Sequence, residues 1–263
     1  MEFLRLKLVR YVLIALAIGI FTAVLSTRRD KDTSHPRDYD EIAASGVLRA
    51  VVEYNSFSYH VSGDTVEGFD YQLLQAFASA HGLQLEVTPE MSYEKRLQGI
   101  WSGHYDILGS GTAITVQSRD SLLFTTPLQR SKQVLVQRRV EEVGDSLFVS
   151  SVLSLSGRTV HLIKGSNARL RMSNIMHEIA DTIYVAEVED YGAEQLMAMV
   201  AGGDIDYAVC DESLALGVIE HFPTLDISTE IGFTQLFAWG VSKRSPALLD
   251  SLNGFLSKLR IKN

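Results

Sequence analysis

Short β-branched runs alternate with amphipathic runs that stop at glycine, and this alternation constrains the fold more than any single motif. Residues 40–45 read as a helix stopped by Gly46, and residues 47–52 as a strand. Residues 69–81 place Phe69, Leu73, Leu74, Phe77 and Ala78 on one helical face and end at Gly82. Residues 83–87 form a strand, Ser92 caps a helix carrying Leu97, Ile100 and Trp101, and residues 105–108 form a short buried strand. Residues 53–67 read as a loop. Strands alternating with helices in this rhythm imply a parallel-rich sheet covered by helices.

The alternation then repeats. Strands are expected at 159–163, 183–186, 206–210 and 235–241, and helices at 167–178, 191–201, 212–221 and 245–260. Two α/β lobes follow from this. The first takes residues 38–138 and a return at 235–263, and the second takes 139–234. Residues 133–139 and 235–241 would be two antiparallel crossing strands, a joint that permits hinge closure on a ligand.

The N-terminal region reads as a targeting segment. Arg5, Lys7 and Arg10 precede an apolar run at 11–25, extended to 27 by Ser26 and Thr27. Its length lies between a signal core and a short membrane anchor, and residues 1–31 are taken as anchor or signal plus tether. Those residues carry six Lys/Arg against two Asp/Glu, while the remainder carries 18 against 30. An acidic folded part argues against nucleic acid as a partner. The single cysteine, Cys210, excludes an internal disulfide, and no histidine or cysteine spacing suits a metal. No cofactor is expected.

Four places can carry a ligand. Ser110-Gly111-Thr112 follows a buried strand, where backbone N–H groups and hydroxyls suit a carboxylate; a plain turn explains it equally. Gly165-Ser166-Asn167 repeats the arrangement before a helix start that favours an anion, with ordinary capping as the alternative. Asp211 ends a strand, where it either accepts from a ligand ammonium or caps the next helix. Tyr54, Phe57 and Tyr59 follow the first strand and form either a pocket wall or loop packing. No acid/base pair supports catalysis: Ser92-Tyr93-Glu94-Lys95 lacks its companion motifs, and Glu187, Glu189 and Asp190 read as a solvated loop.

With these residues in hand, the chain resembles bacterial extracellular solute-binding proteins of family 3, the polar amino-acid binding class. Within that class it is similar to the sensory module of membrane-bound lytic transglycosylases. The resemblance rests on Gly46-Val47-Leu48-Arg49, Asn55-Ser56 with Tyr59, Gly68-Phe69-Asp70-Tyr71, Phe77-Ala78, Gly103 with Asp106, Ile114-Thr115, Phe124-Thr125 with Pro127, Gly165-Ser166 and Gly203 with Asp204-Ile205-Asp206. It implies a two-lobed type II periplasmic-binding fold, each lobe a mixed sheet covered by helices, with two hinge strands. It also implies that Gly111, Thr112, Ser166 and Asp211 lie near the ligand; with Tyr54, Asn55, Tyr59, Ser110, Arg119 and Gly165 from the reading of the residues, these are the candidate ligand-binding residues.

The resemblance departs from this chain at the carboxylate clamp. Amino-acid binders carry Thr-x-x-Arg, whereas Arg119 stands one position late after Thr115 and Ser118 holds the register, which favours an outward Arg119. The expected protein is a non-enzymatic module without the transglycosylase catalytic domain. It would capture a small polar ligand (an amino acid, a short peptide or a cell-wall peptide fragment) by lobe closure. Expected partners are an ABC permease or a cell-wall enzyme. The expected place is the periplasmic side of the envelope, anchored in the inner membrane through residues 11–27. The alternatives are a soluble receptor of an ABC amino-acid importer and a dehydratase on the same scaffold.

Overall fold

The computed structural model describes residues 35–143, 146–189 and 191–260. The apolar run at 11–27, and with it the expected anchor, lies outside the described residues. Among the described residues no helix is long and apolar enough to cross a membrane.

Two mixed sheets organise two lobes. The first contains β1 (Val47–Val52), β4 (Gln84–Pro89), β5 (Ile107–Ala113), β6 (Leu122–Phe124), β7 (Gln129–Ser131) and β13 (Gln235–Ser242). Its order is β4-β1-β5-β13-β6, with β7 also on β13. β1 runs parallel to β4 and β5, while β13 runs antiparallel to β5. The second sheet contains β8 (Gln133–Arg138), β9 (Thr159–Ile163), β10 (Tyr184–Val188), β11 (Tyr207–Asp211) and β12 (Leu225–Asp226), in the order β10-β9-β11-β8-β12.

Alternation at period 2 gives each sheet two apolar faces. In β1, Leu48, Ala50 and Val52 join the cluster of Leu74, Phe77 and Trp239, while Val51 joins Ile100, Leu108 and Leu122 on the other face. In β8, Val134 and Val136 face Leu196 and Val200, and Leu135 faces Leu162 and Met172. The helices that cover these faces start and stop as their sequences dictate. Asp38 makes a capping box with Glu41 at α1 (Tyr39–Ser45), and Gly46 closes it in the left-handed region at φ 71°. Gly68, at φ 130°, starts α2 (Phe69–Ala80); a Cβ there would lie 2.3 Å from the Ser58 carbonyl oxygen, so the position admits no side chain. The remaining helices are α3 (Tyr93–Ser102), α4 (Val116–Ser121), α5 (Val140–Val143), α6 (Ala168–Ile179), α7 (Ala193–Gly202), α8 (Glu212–Val218) and α9 (Pro246–Arg260).

Three expectations need correction. The segment at 53–67 is not all loop: β2 (His60–Ser62) and β3 (Thr65–Glu67) pair as a hairpin around Gly63. Residues 133–139 do not cross beside 235–241. β8 pairs with β11 and β12 in the second sheet, and the strand beside Gln235–Phe237 is β7. The chain therefore passes between sheets at Lys132 and returns after Ile231, whose N–H donates to the Gln133 carbonyl at 2.8 Å. Sheet membership is decided by long-range pairing that no local pattern encodes. Finally, Trp101 does not join the helical apolar stripe; it is 50% exposed, and Arg96 is buried instead.

Candidate functional site

The strand ends of both lobes meet at one cleft of about 720 Å³. Glu53 follows β1, Ser110 to Ala113 finish β5, Gly165 and Ser166 follow β9, and Asp211 ends β11; all line it. Clefts outside the carboxyl ends of parallel strands are the usual ligand sites of α/β sheets.

Ser110-Gly111-Thr112 is not a loop. β5 continues to Ala113 because β13 carries the ladder on one side, pairing Thr112 with Ala238 and Ala113 with Phe237. β1 pairs with β5 only through Leu108, so the other edge of β5 opens beyond that point. Polar groups take that edge. Ser110 Oγ accepts from the Glu53 N–H at 2.5 Å, and the Gly111 N–H donates to buried Asp70. Gly111 thus spends its N–H on the protein rather than on a ligand, contrary to the expectation of convergent free N–H groups.

Asp70 sits beneath this strand at 1% exposure. It accepts from Ser58 Oγ at 2.6 Å and from Trp239 Nε1 at 2.7 Å. Burial, reinforced by the nearby Glu53 charge and opposed by these bonds, pushes its carboxyl up to about 6.

Asp211 occupies the start of α8 without a side-chain capping bond, so the capping alternative is not what its side chain does. Burial, with the Glu53 charge added, pushes its carboxyl up to about 7. The two carboxylates therefore sense one another across the cleft, one from each lobe. The Ser166 and Asn167 side chains do not cap α6 either. Asn167 exchanges bonds with Gln133 and Gln235, at 2.5 Å each, between the two crossings. Ser166 Oγ is buried on the cleft wall with no partner.

The remaining candidates divide. Asn55 lines the cleft and shapes its loop: Oδ1 accepts from the Phe57 and Ser58 N–H groups at 3.1 and 2.6 Å, and Nδ2 donates to Glu53 at 3.3 Å. Of the three loop aromatics only Phe57 lines it, stacked on Phe69 at 5.4 Å. Tyr54 is 41% exposed, and Tyr59 packs on the lobe core against Tyr71. Arg119 is exposed on α4 and stands off the cleft, while Ser118 lines it. Ser118 closes a capping box with Thr115, which turns the next residue outward.

Sequence reasoning missed Glu53, Tyr93 and Arg96. Glu53 stands after β1 as Asp211 stands at the end of β11, so the same logic applied to both would have found it. Arg96 lies four residues before Ile100, a charge on the apolar stripe of its helix, which was a legible signal. It is 6% exposed and pairs with Glu53 at 2.9 Å. Among the described residues no group of three His, Cys, Asp or Glu is placed to hold a metal.

The lobes touch beyond the cleft. Glu194, in the first turn of α7, accepts from the N–H and Oγ of Ser56 at 2.8 and 2.5 Å. A Cβ on Gly165 would lie 3.4 Å from the Tyr93 ring, and one on Gly192 would lie 3.7 Å from Glu53.

Two mixed α/β lobes, joined by paired crossings and closing polar strand ends on one another, define a type II periplasmic-binding fold. A sequence profile of bacterial extracellular solute-binding proteins, family 3, matches residues 48–262, and the chain belongs to that family. It is 28% identical over 197 residues to membrane-bound lytic murein transglycosylase F of Alteromonas mediterranea, covering 74% of this chain and 42% of that one. Its Desulfosudis oleivorans counterpart is 27% identical over 221 residues, covering 84% and 47%. The chain thus spans about half the length of the curated relatives it matches. Among solved structures, the arginine-bound truncated ArgBP of T. maritima superposes with TM-score 0.72 at 24% identity, over 84% of this chain and 100% of that one. The ancestral amino acid-binding protein AncCDT-1, a precursor of cyclohexadienyl dehydratase, gives 0.72 at 21% identity, over 84% and 92%. These likenesses concern the fold.

Proposed function

We propose that this chain is a non-enzymatic binding module on the outer side of the cytoplasmic membrane, held there through residues 11–27. It captures a small polar solute bearing an ammonium group by closing its lobes. The observation that carries this reading is the pair of Glu53 and Asp211 facing across the cleft from the ends of β1 and β11. Glu53 is paired with Arg96, whereas Asp211 makes no ion pair among the described residues, so its buried carboxylate is disfavoured unless a proton or a cation lies beside it. A ligand ammonium meets that need and rewards the closed state. Amino acids, short peptides and cell-wall peptide fragments all carry one. The murein enzymes among the relatives favour the last, with a cell-wall enzyme as partner. A second reading, a soluble receptor of an ABC amino-acid importer, is favoured by the likeness to the ABC transporter substrate-binding protein AbpA, which was solved with L-arginine.

Calorimetry on the full chain in detergent tests the reading, using L-arginine, the other proteinogenic amino acids, short L-alanyl peptides and a murein stem tetrapeptide. At least one is expected to bind saturably. Asp211→Asn is expected to weaken that binding at least about tenfold, the worth of a charge-assisted hydrogen bond. Silence across all members, or an unaffected Asp211→Asn, refutes it.

A further inference from the structure

Among the described residues, three buried side-chain polar atoms have no hydrogen-bond partner, and two of them, Arg96 Nε and Ser166 Oγ, belong to cleft residues. The third, His60 Nδ1, belongs to a residue outside the cleft lining. A guanidinium offers five donors. Arg96 uses Nη1 for both of its bonds, to Glu53 Oε2 at 2.9 Å and to the Glu90 carbonyl at 3.1 Å. A purely structural arginine would turn Nε to a protein acceptor as well, because a buried donor without one costs stability.

The segments that carry the two orphan atoms both approach Tyr93. The Arg96 guanidinium lies 5.8 Å from the centre of the Tyr93 ring. The backbone at Gly165, one residue before Ser166, approaches the same ring so closely that a Cβ there would stand 3.4 Å from it. Thus Tyr93, from the first lobe, joins both. The helix that follows Ser166, α6, starts without a side-chain cap. Its first N–H groups and its dipole favour negative charge beside Ser166.

The geometry points to a seat for a ligand carboxylate between Arg96 Nε and Ser166 Oγ. It rests on the reading that Asp211 takes a ligand ammonium, and it narrows the ligand to a zwitterion with a free carboxylate. Simple amines and diamines are disfavoured because an ammonium has no lone pair to accept from Arg96 Nε. The carboxylate clamp stands on α3 rather than at Arg119, which is exposed and off the cleft. Charge matching agrees: Arg96 balances Glu53, and Asp211 remains for the ammonium.

Nuclear magnetic resonance on the full chain in detergent micelles, with 15N-arginine and 13C-carboxyl aspartate, separates the two claims. Sodium acetate and methylammonium chloride serve as probes. The Nε–H signal that disappears in Arg96→Lys is expected to move saturably with acetate and to ignore methylammonium. The Arg119 signal is expected to stay still. Arg96→Lys keeps the positive charge beside Glu53, and hence the fold, but lacks Nε. It and Ser166→Ala should each weaken acetate about ten- to a hundredfold. An Arg96 signal unmoved by acetate, or all arginine signals moving alike, overturns the carboxylate seat. An Asp211 signal unmoved by methylammonium overturns the ammonium reading alone.

Discussion

Replacing Asp70 tests how the cleft floor is held. Asp70→Ala removes the acceptor of the Trp239 indole N–H and the Gly111 N–H, neither of which can turn away, while the Ser58 hydroxyl can rotate. A buried donor without an acceptor costs about 1–3 kcal/mol, so two put the loss at about 2–6 kcal/mol. Acidity modifies this. Burial raises the folded carboxyl from 3.8 to about 6, so between those values the folded chain holds a proton that the unfolded chain has released. Wild-type stability from this group therefore falls as pH rises through the window, and it is greatest below it. From pH 4.5 to 7.5 the change is about 2 kcal/mol, and the penalty of Asp70→Ala should shrink by that amount. Asp70→Asn keeps one acceptor and offers Ser58 a donor, so it should lose less and abolish the pH dependence. Urea denaturation of the full chain in detergent at both pH values measures all three proteins. A penalty for Asp70→Ala that is equal at the two pH values, or larger at 7.5, would refute the buried-ionisation argument. Equal losses for Ala and Asn would refute the donor count.

Two further outcomes concern binding. Arg119→Ala should leave the affinity of the best amino acid or peptide within about twofold, as surface changes usually do; a tenfold loss by calorimetry would return Arg119 to the cleft. Glu194→Gln weakens the interlobe contact with Ser56, so small-angle scattering should show a larger ligand-free particle, and affinity should fall about two- to tenfold. An unchanged radius would mean that this contact does not hold the lobes together.

The residue sequence by itself determined the element plan. β-branched runs, helical stripes and glycine stops are local properties, and residues 47–52, 69–80 and 93–102 take the forms their patterns require. It also named Asp211 and Ser166 as candidates, and both line the cleft. Arg119, which stands one position late after Thr115, is exposed and is not among the residues that line the cleft. Only tertiary pairing decided the rest. Ser110 to Ala113 are strand because β13, more than 120 residues later, continues the ladder there. Gly111 loses its N–H to Asp70 for the same reason: the edge opened by β1 has to be filled. Gln133 belongs to the second sheet because Asp211 pairs with it. Arg96 is buried because Glu53 lies opposite, 43 residues away. A charge on an apolar stripe is readable in a sequence. Its partner depends on which strand ends the fold brings face to face.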